Sequence, residues 1–533
     1  METLYADFKN EPYLDFSKDE NRNKIQSALK KVKGSLGKNY SPIIDGKIVA
    51  SADSGDGSAQ SVNPAEPDMV IGSITEASEN ITEQAIQSCK KNFISWGTTP
   101  VSERAQILKK AAEIFRKQKS ELSALEILEC GKQWREADGD MCEAIDFLEF
   151  YAQEAVHLFE LKQMGSEPGL RNTLYFKPRG VAAVISPWNF PIAIPVGMIA
   201  AALAVGNTVV FKPAEVATAC GYKIYEILKE AGLPDGVLNF LPGQGRLIGN
   251  YLVRRPDVSL IAFTGSKEVG LAIIEEAGKT PKGQNHVKKV IAEMGGKNAI
   301  IIDSDADLDS AITGVLQAAF GYQGQKCSAC SRVIVLDSVY DKFTSRLKEA
   351  ALSIKVSPAE DPGSAVGAVI NKGAFEKISQ YIEIGKKEAQ VLVQCEIPQG
   401  TTGYFVKPTI FCNVQPNHRI AQEEIFGPVL AVLKVKDFDE ALKIANGTQF
   451  ALTGALYSRS PKNIERAYKE FEVGNLYINT KCTGAMVARQ PFGGFKLSGV
   501  GTKAGMKEYL LQFVEMKTVS ENTQRQGFAP ETI

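Results

Sequence analysis

The 533-residue chain carries 61 Lys and Arg against 62 Asp and Glu, a formal net charge of −1, which gives neither nucleic acid nor an anionic membrane an electrostatic footprint. Hydrophobic residues make up 44% and charged ones 23%, the balance of an ordinary globular protein, too long for one core and expected to form two or three domains. Nine cysteines, an odd number scattered through a large chain, point to reduced thiols and exclude a disulfide-framework fold.

Residues 1–39 read as a polar arm with helical periodicity around Ile25, Leu29 and Val32. The start has no basic segment and no apolar stretch of signal-peptide length, and the most apolar run, residues 192–205, is too short to span a bilayer. A cytoplasmic protein without membrane contact is expected. A short strand at 47–50 leads into a turn-rich loop at 51–56. A long amphipathic helix opens at Ser102, with Ile107, Leu108, Ala111, Ile114 and Phe115 on one face. A second helix covers about 133–161; its carboxylates Glu143, Asp146 and Glu149 read mostly as a solvated face.

From Arg179 the pattern changes to short, nearly all-apolar runs at 180–185, 208–211, 237–241 and 260–263, separated by helical stretches. Such runs predict a parallel sheet covered on both faces, with ligands bound beyond the carboxyl ends of its strands. The segments that follow the runs begin at Ser186, Lys212, Pro242 and Thr264. The spacing Gly243-x-Gly245-x-x-x-Gly249 departs from the usual dinucleotide fingerprint and is weak evidence alone. A further run at 287–292 ends in Glu293-Met-Gly-Gly-Lys297, then a strand at 298–303. Glu293, before two glycines, sits either at a ligand-approached turn or in one that faces water.

Between a helix at 311–320 and a strand at 333–336 lies the Gly-flanked segment that carries Cys327. Lys326 and Arg332 beside it favour a thiolate and hence a nucleophile; a buried structural cysteine is the competing reading. Cys327-x-x-Cys330 has no second close pair to complete a zinc site, so no metal is expected, and no thioredoxin-like unit surrounds it. Aromatic turn-rich loops follow at 423–428 and 490–494, then a terminal strand within 509–519 and a polar tail at 521–533.

Taken in order, Pro187-Trp-Asn-Phe190, Lys212-Pro-Ala-Glu215, Phe263-Thr-Gly-Ser266, Glu293-Met-Gly-Gly-Lys297, Gly324-Gln-Lys-Cys327, Glu424-Ile-Phe-Gly-Pro428 and Pro491-Phe-Gly-Gly494 resemble the aldehyde dehydrogenase superfamily over most of the chain. Lys481-Cys-Thr-Gly-Ala485 and Lys517-Thr-Val-Ser-Glu-Asn522 look most like its branch acting on glutamate γ-semialdehyde, the open form of pyrroline-5-carboxylate. Two departures stand out: Met506-Lys-Glu508 where Gly-Pro-acid is common, and Ala488-Arg489 after the anchoring loop.

The resemblance implies an α/β aldehyde dehydrogenase-like fold. Residues 1–160 and 179–294 would bind NAD, 295–489 would be catalytic, 161–178 with 508–533 a β oligomerisation flap and tail, and 490–507 a return loop. A homodimer or larger homo-oligomer and a small semialdehyde substrate follow from it. It casts Cys327 as nucleophile, Asn189 as oxyanion donor and Glu293 as base. It places NAD against Ser186, Pro187, Trp188, Lys212, Glu215, Gly245, Gly249, Phe263, Thr264, Gly265, Ser266, Val269, Glu424 and Phe426. NAD is favoured over NADP because the Glu215 carboxylate accepts from a 2′-hydroxyl and repels a 2′-phosphate. For the substrate's far end it implies Ser328 with the N–H groups of Gly484 and Ala485, Phe492, and Glu143 opposite an ammonium. A catalytically silent member of the fold, or a dehydrogenase for another semialdehyde, is the alternative.

Overall fold

The computed structural model describes residues 8–49 and 58–524. The loop expected at 51–56 and the end of the tail lie outside them.

Apolar runs with nothing polar on either face can only be central strands, and they build the first sheet. Val181–Ile185, Thr208–Lys212, Leu238–Phe240, Val258–Thr264 and Lys289–Glu293 are all parallel. Val258–Thr264 and Thr208–Lys212 flank the first strand on opposite sides, so the order reverses there and a crevice opens beyond Ile185 and Thr264. Gly499–Val500 closes one edge of this sheet and Ile43–Ile44 with Lys47–Ile48 the other. The expected strand at 47–50 is thus only the end of a small hairpin. Helices Val101–Cys130 and Trp134–Leu158 cover one face and match the two expected. The helix Glu79–Thr98, capped by Ser78, covers the other face and was not read from the sequence.

The second sheet runs in the order Gln390–Gln394, Thr409–Cys412, Val429–Val435, Cys330–Leu336, Asn298–Ile302, Thr453–Tyr457, Asn475–Ile478. All of its pairings are parallel except the first. A third, antiparallel sheet joins Val514–Asn522 to Leu170–Pro178 and Lys162–Gln163, strands that lie within the segments 161–178 and 508–533. The terminal strand begins later than expected because residues Lys507–Phe513 wind into 3-10 turns. Among the described residues no helix is long and apolar enough to cross a membrane.

Candidate active site

The two large sheets meet along the stretch 293–298. Glu293 is the last residue of its strand, paired with Thr264 and Gly499, not part of a turn. Gly295 and Gly296 cross over, and Asn298 opens the first strand of the second sheet. The Asn298 side chain donates to the carbonyls of Cys327 (2.7 Å) and Ala329 (2.9 Å) and accepts from the Thr453 N–H (3.0 Å). It thereby stitches the Cys327 loop to that sheet.

Cys327 follows the helix Leu308–Phe320 and a turn in which Tyr322, Gln323 and Gly324 all have positive φ (49°, 56° and 69°). Two of these are not glycine, so tertiary contacts must hold the strained backbone. The buried Tyr322 hydroxyl donates to the Cys130 carbonyl (2.9 Å), and Gln323 Nε2 to those of Gly131 (3.0 Å) and Ala368 (2.7 Å). The loop is therefore anchored on the 130–133 segment between the two long helices.

The thiolate-favouring role expected of Lys326 and Arg332 is overturned. Lys326 Nζ turns away to Glu136 (2.6 Å). Arg332 spends its guanidinium on the carbonyls of Lys297, Ile444 and Ala445 at 2.9–3.0 Å. Burial, followed by the Glu424 and Glu293 carboxylates, pushes the Cys327 thiol up to about 12. Its own N–H has no acceptor among the described residues, so it is free to receive a charge. Asn189, 4% exposed, donates from Nδ2 to the Gln325 carbonyl (3.2 Å) and keeps its second amide hydrogen free. Glu293 is held between Gly493 and Gly499, where an added Cβ would stand 3.0 Å and 3.1 Å from its oxygens. Its Oε2 has no hydrogen-bond partner among the described residues. Burial, opposed by Lys503, pushes its carboxyl up to about 8. A thiol, an acceptor carboxyl and two unused donors converge here, the minimum set for acyl transfer through cysteine.

Beyond the first sheet, Ser186, Lys212, Glu215 and Gly245 come together as expected. Ser186 N–H donates to the Lys212 carbonyl (3.2 Å), and the Glu215 carboxylate accepts from Gly245 N–H (2.8 Å) and lies 4.0 Å from Lys212 Nζ. Burial pushes the Lys212 ammonium down to about 8. Gly245 opens a π turn that ends at Gly249, with open space where a Gly249 side chain would be. Phe263 packs under Gly265, the Thr264 hydroxyl points to Met198, and Ser266 caps the helix Lys267–Ala277, accepting from the Val269 N–H (3.3 Å). The Val269 side chain is exposed. Trp188, next to Pro187, stands edge-on to Phe426 (5.5 Å) and to Tyr322 (6.5 Å). Glu424 accepts from the Gly296 N–H (3.0 Å), facing the Cys327 loop. A buried cation beside a carboxylate, the N-terminal end of the helix Lys267–Ala277 and an aromatic edge fit the ribose, diphosphate and ring of a dinucleotide.

At the far end, Ser328 is buried, and Cys482 Sγ donates to its carbonyl (3.5 Å), which brings the 482–485 loop alongside. Gly484 has φ 87°, and among the described residues the N–H groups of Gly484 and Ala485 have no acceptor. Phe492 is half-buried next to Gly493 and bridges to Ala504. The solvated-face reading of the second helix fails. Asp146 is buried, accepting from the Asn10 side chain (2.8 Å) and the Glu11 N–H (2.7 Å). Glu149 pairs with Arg116. Glu143 is half-buried; burial and Asp140 push it up to about 8, and its charge reaches Cys327. Sequence reading missed Lys132, Asp140, Asn298 and Lys503, which only tertiary contacts reveal.

Glu129, Cys130 and Cys220 also lie with their ligand atoms within 4.8 Å of one another. The carboxylate there is already satisfied by the Ser61 hydroxyl and the N–H groups of Ala219 and Cys220, capping the helix Thr218–Glu230.

The family model of the aldehyde dehydrogenase family matches residues 50–519. A 1-pyrroline-5-carboxylate dehydrogenase of Geobacillus sp. (strain WCH70) is 48% identical over 514 residues, 96% of this chain and 99% of that protein. A 1-pyrroline-5-carboxylate dehydrogenase from Thermus, solved with bound NAD, superposes with a TM-score of 0.94 at 45% identity, covering 97% of this chain and 99% of that one. Proline utilization A from Bdellovibrio bacteriovorus superposes with a TM-score of 0.96 at 48% identity; it covers 99% of this chain, which spans 54% of that longer protein. With an ordered set of motifs that fold into one thiol–carboxyl–amide site, and with likeness over nearly its whole length, the chain belongs to the aldehyde dehydrogenase family.

Proposed function

We propose that the protein oxidises L-glutamate γ-semialdehyde, the open form of 1-pyrroline-5-carboxylate, to L-glutamate with NAD, as the names of its relatives suggest. One observation carries the reading beyond a generic aldehyde. Two unused backbone donors, Gly484 and Ala485, lie beside buried Ser328, while the carboxyl of Glu143 approaches the same thiol. Donors suit an α-carboxylate and the acid suits an α-ammonium, groups that a plain aldehyde lacks.

The chemistry follows from the resting charges. Cys327 adds to the carbonyl carbon as its proton leaves towards the Glu293 carboxylate, and the oxyanion forms between Asn189 Nδ2 and the Cys327 N–H. NAD, when bound against Lys212, Glu215, Ser266 and Phe426, supplies the hydride acceptor. Loss of hydride from the tetrahedral carbon leaves a thioester on Cys327. Glu293 releases the thiol proton to solvent and, ionised again, takes a proton from the water that attacks the thioester. That proton passes to the departing sulfur, so the thiol is restored as glutamate leaves. A silent member of the fold would have no use for a carboxyl held without a partner on one oxygen next to a thiol.

The flap sheet leaves Leu161, Met164, Tyr175 and Met516 exposed, which supports pairing with a second copy as a homo-oligomer. The division of the chain stated above accords with the separate sheets, and a reduced, cytoplasmic setting suits nine unpaired thiols. Replacing Ser328 by Ala tests the substrate. It should lower kcat/KM for the semialdehyde by about 1–3 kcal/mol while leaving propanal oxidation nearly unchanged. Equal losses on both would mean that Ser328 supports Cys327 and does not read the substrate.

A further inference from the structure

Two opposite charges lie in full burial directly behind the oxyanion loop, and the chemistry above leaves them without a role. Lys132 and Asp140 are both 0% exposed, with Nζ 2.8 Å from Oδ2. Burying such a pair is costly, and apolar residues of similar volume would serve stability at least as well. What the pair touches explains it. Lys132 Nζ donates to the Asn189 carbonyl (3.0 Å) and sits 3.9 Å from the centre of the Phe190 ring. It also lies 5.1 Å from the Tyr322 ring, which belongs to the Cys327 loop. The other oxygen of Asp140 accepts from the Ala193 N–H (2.7 Å), where the oxyanion loop enters its helix. The pair therefore grips the loop at 189 and 193, while the Asn189 side chain on the far side is tied to Gln325, two residues before Cys327. Beneath them Glu126 is fully buried, and burial together with Asp140 keeps its proton on.

We infer that Lys132, with Asp140 as its counter-ion, is a positioning residue that aims the Asn189 amide at the developing oxyanion. The ammonium holds the backbone carbonyl of Asn189 and, through ring faces, the two loops that together make the oxyanion hole. This rests on the reading of Asn189 as an oxyanion donor. An apolar residue at 132 would leave the Asn189 carbonyl without its buried donor and let the loop rotate.

The test is a double-mutant cycle. Lys132→Met alone leaves Asp140 unpaired in the interior, so Lys132→Met/Asp140→Asn, which removes both charges and keeps an oxygen for the Ala193 N–H, serves as one unit. It is combined with Asn189→Ala. Folding is checked by near-ultraviolet circular dichroism and NAD affinity, both of which should match the parent. We expect Asn189→Ala to lose roughly 10²–10³-fold in kcat, as other oxyanion donors do. The charge-pair variant should lose about 10–100-fold, with a deuterium isotope effect on the aldehyde hydrogen emerging as hydride loss becomes limiting. All three changes together should be no slower than Asn189→Ala, within about twofold. Losses that multiply in the combined variant, or an undiminished rate in the charge-pair variant, would overturn the positioning role while leaving Asn189 intact. An Asn189→Ala variant of normal rate would instead overturn the reading on which it stands.

Discussion

Replacing Glu293 by Gln separates two consequences of its burial. The carboxyl is pushed up to about 8, with burial the main cause and the Lys503 charge opposing it. Cys327 and Tyr509 are the other titratable groups facing it, and both are held protonated. Only the ionised form accepts a proton from water, so the base is present in roughly one molecule in eleven at pH 7 and about ten in eleven at pH 9. Thioester hydrolysis should therefore climb about tenfold between those values and fall about tenfold per unit below pH 7. Quench-flow mass spectrometry, following the acyl group on Cys327 after mixing with NAD and semialdehyde, reads this step without interference from product release. Glu293→Gln, which can take neither the thiol proton nor that of water, should form the acyl group more slowly than the parent and then hydrolyse it about 10²–10⁴-fold more slowly. Stability should move the other way. A carboxyl whose folded value lies above the ordinary 4.5 costs the fold stability as pH rises between that value and about 8. Above pH 8 the Gln variant should accordingly melt higher than the wild type. A flat hydrolysis profile from pH 6.5 to 9, or unchanged turnover in the variant, would refute the assignment of the base.

Glu215→Ser removes the carboxylate that accepts from Gly245 N–H; NADP should gain roughly 10–100-fold in kcat/KM and NAD lose a few-fold, and unchanged NADP use would exclude Glu215 as the discriminator. Gly296→Ala places a methyl 2.7 Å from the Cys327 carbonyl and from Asn298 Oδ1, so the nucleophile's loop must shift. A loss of about 1–3 kcal/mol of stability with a much larger fall in kcat is expected, from melting curves and initial rates; wild-type kinetics would show that the loop tolerates the displacement.

The parts of the fold that the sequence declares are those built by local pattern. Val181–Ile185 and its neighbours are apolar on both faces, and that alone places them in a covered parallel sheet. Ser186, Lys212 and Thr264 then fall at the strand ends, where such sheets bind ligands. Glu79–Thr98 was not anticipated, although Ser78 is a legible cap and Ile81, Ala85, Ile86 and Cys89 form its buried face. The electrostatics of Cys327 were misread for a different reason. Lys326 is adjacent in sequence, yet its chain direction carries the ammonium to Glu136, 190 positions earlier. Lys132, Asp140 and Asn298 carry no local signal at all, because each acts on a loop far along the chain. The left-handed Tyr322 and Gln323 are likewise set by carbonyls of the 130–131 and 368 segments, not by their own propensity.

The same distribution of partners explains why the resting site is nearly uncharged. The residues flanking Cys327 that could stabilise a thiolate are committed elsewhere, and the groups left facing it, Glu293, Glu424 and Glu143, are acids. Burial drives each of the three towards its protonated form. A thiolate formed in that setting would be repelled by every ionised neighbour, so the free enzyme keeps a thiol. Thiols are slower than thiolates to react with stray electrophiles and oxidants. Charge has a stable place only at the oxyanion position, between the free Asn189 amide hydrogen and the Cys327 N–H. Nucleophilic attack and proton loss are thereby coupled, because the negative charge leaves sulfur for the carbonyl oxygen as the bond forms. That oxygen exists only when an aldehyde is bound, so the acidic surroundings which suppress the thiolate also confine the reactivity of Cys327 to the bound carbonyl.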